Sequence, residues 1–184
     1  MSEQKELRIW TIGHSTLDLD EFLRLLTVNR IAAVADVRSY PGSRKFPHFG
    51  AAALEKSLGE IGVEYVPFKQ LGGRRPSRAD SPHTVWRNKA FRGYADYMDT
   101  DEFKSGIDEL LELARKKRTA TMCAESVWWR CHRSMIADYL KAAGVTVEHI
   151  MSAGKNAIHP YTSAAKIING RLTYGTADSD TLFS

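Results

Sequence analysis

The sequence predicts an α/β protein with an open, mostly parallel five-stranded sheet, helices on both faces and a C-terminal β-hairpin. Strand-like and helix-like patterns alternate about five times, which is typical of this class. The second strand-like run, residues 31–37, is almost continuously apolar, as a strand covered on both faces should be. Asn169-Gly170 lies between two short strand-like runs and is a strong hairpin signal.

The first part of the chain is expected to provide three strands and two helices. Apolar residues from Leu19 to Leu26 recur with the spacing i, i+3, i+4, i+7, which predicts one apolar helix face. Asp18, with Glu21 three residues later, is typical of a helix N-terminus. In chain order we expect a strand over residues 7–13, the helix that Asp18 begins, a strand over 31–37, a helix over 51–61 and a strand over 63–68.

The second part of the chain repeats this alternation after a loop over residues 69–92. Two helical faces follow the loop, with a break near Asp99 between them. The next helix is expected to open at Cys131 and to stop at Gly144. The predicted elements are helices over 91–98 and 103–114, a strand over 119–123, the helix from Cys131, a strand over 145–150, and a hairpin whose strands flank Asn169-Gly170.

Length and composition indicate one soluble domain. A chain of 184 residues is long enough for one buried core, and its hydrophobic and charged contents of 43% and 26% are ordinary for a globular protein. We expect an α/β core over residues 9–152 and a C-terminal hairpin and tail over 153–184. No apolar run approaches the ~20 residues that cross a membrane, and residues 1–7 contain no hydrophobic signal core. We therefore expect a cytoplasmic protein without a membrane partner.

Positive charge is concentrated in the loop over residues 69–92. The net charge of the chain is +4, and in this loop only Asp80 opposes seven bases. A basic segment attracts anionic partners, so a small anion is expected here and a nucleic acid is an alternative. A solvated loop without a specific role explains the same charges equally well. The bases are Lys69, Arg74, Arg75, Arg78, Arg87, Lys89 and Arg92.

Polar and thiol groups follow four of the five predicted strands. In an open parallel sheet, ligands bind outside the carboxyl ends of the strands, so these groups are expected to converge on one pocket. We expect the pocket to bind a small anion. In chain order the groups are His14 and Ser15, then Asp36, Arg38 and Ser39, then Gly72 and Gly73, and finally Cys123 and Glu125 followed by Cys131, His132 and Arg133.

Both cysteines of the protein lie in the last of these segments. In a chain without an export signal they are interpreted as free thiols, a redox pair or metal ligands. A thiol beside cations at a helix start favours the thiolate, which makes Cys131 the preferred nucleophile over Cys123. His14 or His132 would then act as acid or base, and Glu125 would orient His132 or an arginine. Arg133 and Trp128 are expected to contact the ligand.

The ordered motifs resemble a known family of bacterial and archaeal proteins. They are Thr11-Ile-Gly-His-Ser15, Asp36-Val-Arg-Ser39 with Pro41 and Ser43-Arg44, Leu71-Gly-Gly73, Phe91 with Tyr94-Ala95, and Cys123-Ala-Glu125 with Cys131-His-Arg133. In order and spacing they are similar to the domain of unknown function 488 family. The resemblance covers residues 9 to about 152. It implies an α/β fold and a site drawn from these motifs, which include Arg44, but no activity.

Two other functions remain open at this point. No cofactor is predicted, but Cys123, Cys131, His132 and His14 could together hold zinc or iron, although neighbours on a helix point about 100° apart. Trp128 and Trp129 beside the basic loop would suit a nucleic-acid-binding protein without catalysis. An enzyme acting on an anionic ligand is preferred, because a fold alone does not need so many polar groups at one edge.

Overall fold

The computed structural model describes residues 5–151 and 154–175. Residues 1–4, residues 152–153 and residues 176–184, which form the end of the expected C-terminal tail, lie outside this part. The strands are β1 Arg8–Gly13, β2 Ala33–Asp36, β3 Glu64–Pro67, β4 Thr119–Cys123, β5 Thr146–Ile150, β6 Asn156–Ile158, β7 Lys166–Ile168 and β8 Arg171–Thr173. The helices are α1 Leu19–Val28, α2 Ala51–Glu60, α3 Lys89–Met98, α4 Asp101–Lys116 and α5 Arg133–Ala142.

The main sheet has the strand order β3-β2-β4-β1-β5-β6. Strands β1 to β5 are parallel, and β6 is antiparallel to β5. The α/β fold with a mostly parallel sheet is therefore confirmed, but the sheet has six strands because residues after β5 turn back along its edge. β4 lies between β2 and β1, and this order brings the carboxyl ends of these three strands together.

The helices cover both faces of the sheet, as expected. One core combines α1 and α2 with side chains such as Trp10 and Ile12 of β1. The other core combines α3, α4 and α5 with Ile9 on the opposite face of the same strand. All four residues of β2 are buried, because this central strand is covered on both sides.

Local signals at two predicted elements are also confirmed. The carboxylate of Asp18 caps α1 by accepting from the backbone N–H of Glu21 at 2.8 Å. Asn169 and Gly170 have φ values of 51° and 75°, as a two-residue hairpin turn with two left-handed residues requires. They join β7 to β8 as predicted.

Helix α5 begins at Arg133 rather than at Cys131. Residues Trp128–Arg130 form a single 3₁₀ turn, and Cys131 lies between this turn and the first residue of α5. In the part of the chain that the structure describes, no helix is both long and apolar enough to cross a membrane.

Candidate functional site

The site lies where β1, β2 and β4 end. The sheet register places Gly13 of β1 directly beside Cys123 of β4. Beyond the strands, the backbone N–H of His14 donates to the carbonyl of Cys123 at 3.0 Å, and that of Val37 donates to Met122 at 3.0 Å. A side chain on Gly13 would lie only 2.7 Å from the carbonyl carbon of Glu125. Glycine at this position therefore allows the loop after β4 to fold back over the strand ends.

The two thiols lie side by side at this edge. Both are free and buried, and the Sγ atom of Cys131 lies 2.7 Å from that of Cys123. Burial raises the pKa of Cys123, but the hydrogen bond from Cys131, the charge of Arg133 and a backbone hydrogen bond at Glu125 hold that pKa below its usual value. Burial and the neighbouring Cys123 sulfur raise the pKa of Cys131 well above its usual value. The pKa values thus favour Cys123 as the thiolate, the opposite of the preference drawn from the sequence.

The reason for this reversal is the position of Cys131 relative to α5. The sequence places Cys131 at the positive end of a helix, but the helix begins two residues later. The backbone N–H groups of Ser134 and Met135 already donate to the carbonyls of Cys131 and His132, both at 2.9 Å. The helix start therefore offers fewer free donors to a thiolate or an anion than expected.

His132 is held in one tautomer against the thiols. Its Nε2 atom lies 2.8 Å from the carbonyl oxygen of Val37 and donates to it, because a carbonyl can only accept. Burial lowers the pKa of His132 to about 4, so the ring is neutral near pH 7. Its Nδ1 atom is then an acceptor, 3.5 Å from the Sγ atom of Cys131. The acceptor that orients His132 is Val37 and not Glu125, whose side chain is exposed and accepts from the backbone N–H of Ser126.

Arg133 acts on the site from the interior and does not face a ligand. It is only 1% exposed, and its Nη2 atom donates to the carbonyls of Glu125 and Ser126, both at 2.9 Å. These bonds fix the loop after β4. The buried guanidinium also favours the thiolate of Cys123 through its charge. Arg133, which was expected to contact the ligand, therefore does not line the pocket and contacts the loop beside the thiols instead.

Asp36 and Arg38 form a buried ion pair at the end of β2. The guanidinium donates to both carboxylate oxygens, from Nε at 2.9 Å and from Nη2 at 2.8 Å. The Tyr65 hydroxyl adds a third bond to the carboxylate at 2.6 Å. The Nη1 atom of Arg38 lies 3.3 Å from Nε2 of His14, whose ring stacks on Phe49. Burial lowers the pKa of His14 to about 4, so this histidine is a neutral acceptor for Arg38 and not a charged group.

A pocket of about 460 Å³ opens over the thiols. Seven of the predicted site residues line it, including both thiols and His132. Arg74 and Arg130 line the pocket and form no ion pair within the described part of the chain. The lining residues are Arg38, Ser39, Tyr40, Gly73, Arg74, Asn88, Ala90, Phe91, Cys123, Ala124, Glu125, Arg130, Cys131 and His132.

Seven other predicted site residues do not line this pocket. His14, Asp36 and Arg133 belong to the buried interactions described above. Ser15 donates its backbone N–H to Ala124, and Arg44 is exposed outside the pocket. Trp128 stacks on His149 with ring centroids 4.4 Å apart and covers an internal network. The seventh is Gly72, which is buried.

The two glycines after β3 are needed for close packing. A side chain on Gly72 would lie 2.5 Å from the hydroxyl of Ser39, and one on Gly73 would lie 2.7 Å from Cγ of His132. Their main role is to let the loop after β3 approach the residues that position the thiols. The backbone N–H of Arg74 then donates to Ser39 at 3.2 Å, which joins the two loops at the pocket wall.

Sequence reasoning did not select Tyr40 and Asn88, which line the pocket from two different loops. The guanidinium of Arg74 lies over the Tyr40 ring, 5.3 Å from its centroid. Tyr40 directly follows the Asp36-Val-Arg-Ser39 motif, and Asn88 caps α3 by accepting from Ala90 at 2.8 Å. The position of Tyr40 next to this motif could have been recognised in the sequence. Asn88 reaches the pocket only because its loop folds towards it.

Several bases of the loop over residues 69–92 contact the loop itself. Arg75 donates to the carbonyls of Gly72 and Lys69, and its guanidinium lies 3.7 Å from the centroid of the Tyr97 ring. Arg78 pairs with Asp80 at 2.8 Å, and Arg92 donates to the carbonyl of Trp86. Three of the seven bases thus stabilise the loop itself. Among the residues that the structure describes, no group of three or more His, Cys, Asp or Glu side chains is arranged to hold a metal ion.

A polar network that the sequence did not reveal lies behind the thiols. The Asp138 carboxylate accepts from Nε2 of His159 at 2.8 Å, from the hydroxyl of Tyr174 at 2.7 Å, and from the N–H and hydroxyl of Thr162 at 2.9 and 2.6 Å. The other ring nitrogen of His159, Nδ1, lies 2.8 Å from Nε2 of His149.

The network continues from His149 to Arg133, which holds the loop after β4. The Thr11 hydroxyl lies 2.5 Å from Nδ1 of His149, and Nη1 of Arg133 lies 3.5 Å from the Thr11 oxygen. Burial lowers the pKa of His149 to about 3, so this histidine is a neutral link in the network. Hydrogen bonds thus connect buried Arg133 to buried Asp138, and they provide partners for polar side chains that would be costly to bury alone.

A larger cavity of about 750 Å³ lies at the opposite edge of the sheet. Its bases Arg8, Arg115 and Lys117 pair with Glu148, Glu112 and Glu64 respectively. Several of these bases also lie at the end of α4, where positive charge complements the helix dipole. No thiol or histidine lines this cavity, so the thiol pocket is the candidate site.

The fold and the pocket define a class of α/β protein with a thiol pair at the carboxyl edge of a parallel sheet. The family described as "Domain of unknown function DUF488" matches residues 18–140, and the chain belongs to this family. The matched region includes Asp36, Arg38, Gly73 and both cysteines, whereas Thr11–Ser15 precede it. No curated protein and no solved structure matches the chain at a significant level.

Proposed function

We propose that the pocket is the active site of a thiol-dependent enzyme that acts on a small anionic ligand, with Cys123 as nucleophile. The observation that carries this proposal is the 2.7 Å contact between the sulfurs of Cys131 and Cys123, which both line a pocket of 460 Å³. A thiolate, and not a thiol, is the reactive form of cysteine. In this arrangement the neighbouring thiol donates a hydrogen bond to that thiolate.

The charges around Cys123 support its role as nucleophile. Arg133 is buried behind the thiols, and solvent screens its positive charge much less than it screens a charge on the surface. His132 is neutral and presents an unprotonated Nδ1 atom on the other side of Cys131. The site therefore combines a stabilised thiolate with a nearby proton acceptor, as nucleophilic catalysis by cysteine requires.

The charge of the pocket wall supports an anionic ligand. Within the described chain, Arg74 and Arg130 carry guanidinium groups without an ion-pair partner and line the same pocket as Cys123. Arg38 also lines it, but Asp36 neutralises its charge. Glu125 is the acidic residue of the lining. Two arginines against one carboxylate favour a phosphate or carboxylate group over a neutral or cationic one.

The alternatives have less support. In residues 69–92, Arg75, Arg78 and Arg92 already contact other groups of the loop. Nucleic-acid binding through this loop would therefore rely on its other bases. Zinc or iron binding would use Cys123, Cys131, His132 and His14, but in the described part of the chain no three or more His, Cys, Asp or Glu side chains are arranged to hold a metal ion. Metal content and salt-dependent binding to DNA or RNA test these two alternatives directly.

A comparison of two alkylating reagents tests the proposal. Iodoacetamide is neutral and iodoacetate is an anion of similar size, so the ratio of their rates at Cys123 reports the charge of the pocket. We expect Arg74→Gln with Arg130→Gln to lower the iodoacetate rate relative to the iodoacetamide rate. The expected decrease is about fivefold per arginine, which corresponds to ~1 kcal/mol for charges about 4 Å apart in water.

Arg44→Gln is the matched control, because Arg44 is exposed and outside the pocket. It should leave the ratio unchanged. Inorganic phosphate should also slow iodoacetamide labelling of the wild-type protein but not of the double variant. An unchanged ratio in the double variant, together with no protection by phosphate, would overturn the anionic ligand.

A further inference from the structure

We propose that Cys123 and Cys131 form a reversible dithiol–disulfide couple through which the protein reduces hydroperoxides. This inference rests on the proposed role of Cys123 as nucleophile and adds a second substrate class, a peroxide, at the same site. It also gives Cys131 a role as the resolving thiol, which the anionic-ligand proposal does not need.

The geometry of the two sulfurs carries this inference. They lie 2.7 Å apart, whereas a disulfide joins sulfurs at about 2.05 Å. A movement of less than about 1 Å would therefore close the bond. Both cysteines are buried in the same pocket wall, with exposed fractions of 2% and 7%, so each thiol is the nearest partner for the other. The thiol of another protein cannot reach these buried sulfurs in the same way.

The unequal environments of the two thiols fit two different roles. Cys123 receives a hydrogen bond and faces the charge of Arg133, which suits a thiolate that attacks. Cys131 donates that hydrogen bond and remains protonated. A resolving thiol should stay neutral until the first cysteine has been oxidised, because a second thiolate so close to the first would be repelled.

In the first step, the thiolate of Cys123 attacks the terminal oxygen of the hydroperoxide. A sulfur–oxygen bond forms, the oxygen–oxygen bond breaks, and Cys123 becomes a sulfenic acid. The leaving alkoxide takes a proton from solvent and departs as an alcohol, or as water when the oxidant is hydrogen peroxide. The sulfur loses two electrons and the peroxide gains them.

In the second step, Cys131 attacks the sulfur of the Cys123 sulfenic acid. Its thiol proton passes to Nδ1 of His132, which lies 3.5 Å from the Cys131 sulfur and is unprotonated. The sulfur–sulfur bond forms as the sulfur–oxygen bond breaks, and the leaving hydroxide takes the proton from His132 to form water. A small dithiol reductant then restores both thiols by exchange.

The test begins with reduced protein and hydrogen peroxide in small excess. We expect both free thiols to disappear, the intact mass to fall by two hydrogens, and dithiothreitol to reverse both changes. The rate at pH 7 should exceed that of the urea-unfolded chain, because a thiol whose pKa is lowered carries a larger thiolate fraction.

Three single variants separate the steps. Cys131→Ser should stop at a sulfenic acid on Cys123, seen as the gain of one oxygen and trapped by dimedone. Cys123→Ser should show no reaction faster than that of the unfolded chain. In His132→Gln the sulfenic acid on Cys123 should persist longer before the disulfide closes, because the acceptor for the Cys131 proton is missing.

The outcomes distinguish this inference from the proposal on which it rests. If Cys123 is alkylated with a preference for iodoacetate but peroxide gives no disulfide, the redox couple is overturned and the anionic-ligand site stands. If the disulfide forms and phosphate gives no protection, only the anionic ligand fails. Oxidation of Cys123 to sulfinic acid in the wild-type protein, or a disulfide between two chains, would also overturn the couple.

Discussion

Nε2 of His132 donates to the carbonyl oxygen of Val37 at 2.8 Å, and this bond decides which imidazole nitrogen faces the thiols. The free Nδ1 atom lies 3.5 Å from the Cys131 sulfur and can only accept while the ring is neutral. The chain at the end of β2 thereby fixes the orientation of the ring beside the thiols at the end of β4. Gly73 packs against the same side of the ring, because a side chain placed on it would lie nearest to Nδ1, Cγ and Cε1 of His132.

We predict that Gly73→Ala destabilises the protein and displaces His132. The new methyl group would lie 2.7 Å from Cγ of the imidazole, and the ring is held in place by its bond to Val37. Overpacking of this kind costs about 1–3 kcal/mol, measurable by urea denaturation. The Cys131 thiol should also become less able to close the proposed disulfide.

Gly42→Ala is the matched control for this change. No atom lies within 4 Å of a side chain placed on Gly42, so the same substitution should leave stability nearly unchanged. Equal stabilities for Gly73→Ala and Gly42→Ala would show that Gly73 does not pack against His132 as described.

We predict that the network ending at Asp138 contributes several kcal/mol of stability. Asp138 is fully buried and accepts four hydrogen bonds, from three side chains and one backbone N–H. In Asp138→Asn the side chain loses its charge and turns two donors toward groups that also donate. We expect a loss of about 3–5 kcal/mol in the free energy of unfolding.

Tyr174→Phe provides a graded comparison, because it removes only the hydroxyl bond of 2.7 Å to the same carboxylate. Its expected loss is about 1–3 kcal/mol, as for a hydrogen bond to a charged group. If Asp138→Asn were no less stable than Tyr174→Phe in urea denaturation, the carboxylate would not be the centre of the network.

Acid should destabilise the protein through its buried histidines. Burial lowers the pKa of His14 and His132 to about 4 and that of His149 to about 3. In the unfolded chain a histidine binds its proton near pH 6.5. Between about pH 6.5 and 4 the unfolded state therefore holds more protons, so stability falls as the pH falls through this range.

Each of these histidines is expected to contribute about 3 kcal/mol to the loss between pH 7 and 4, since one pKa unit corresponds to about 1.4 kcal/mol. His149→Gln should reduce the proton uptake on unfolding at pH 5 by about one proton. His48→Gln, at a half-buried position near the surface, is the comparison variant. Equal pH slopes for wild type and His149→Gln would contradict the neutral, buried assignment of His149.

Much of the fold could be predicted because its signals are local. The capping pair at Asp18, the apolar run that became β2 and the Asn169-Gly170 turn each lie within a few residues. β6 was missed because its three residues form a strand only by pairing with β5 at the sheet edge. The start of α5 was misplaced because the Trp128–Arg130 turn has no simple sequence signature.

The site was predicted in outline but not in detail. Parallel strands must end at one edge, and this general rule brought together the motifs that contain Cys123, His132 and Gly73. The Asp138 network was not found, since Thr11 and His149 are 138 positions apart and contact only in the folded state. The choice between Cys123 and Cys131 also depended on the fold, because burial and Arg133 set their pKa values.

The pH dependence of alkylation at each cysteine tests the central claim most directly. The reduced protein would be treated with iodoacetamide from pH 5 to 10, and the labelled cysteine would be identified by peptide mass spectrometry. We predict that Cys123 is labelled first, with a midpoint below the usual thiol pKa, and that Cys131 reacts only at higher pH. Labelling of Cys131 before Cys123, or an ordinary thiol midpoint for Cys123, would contradict the account.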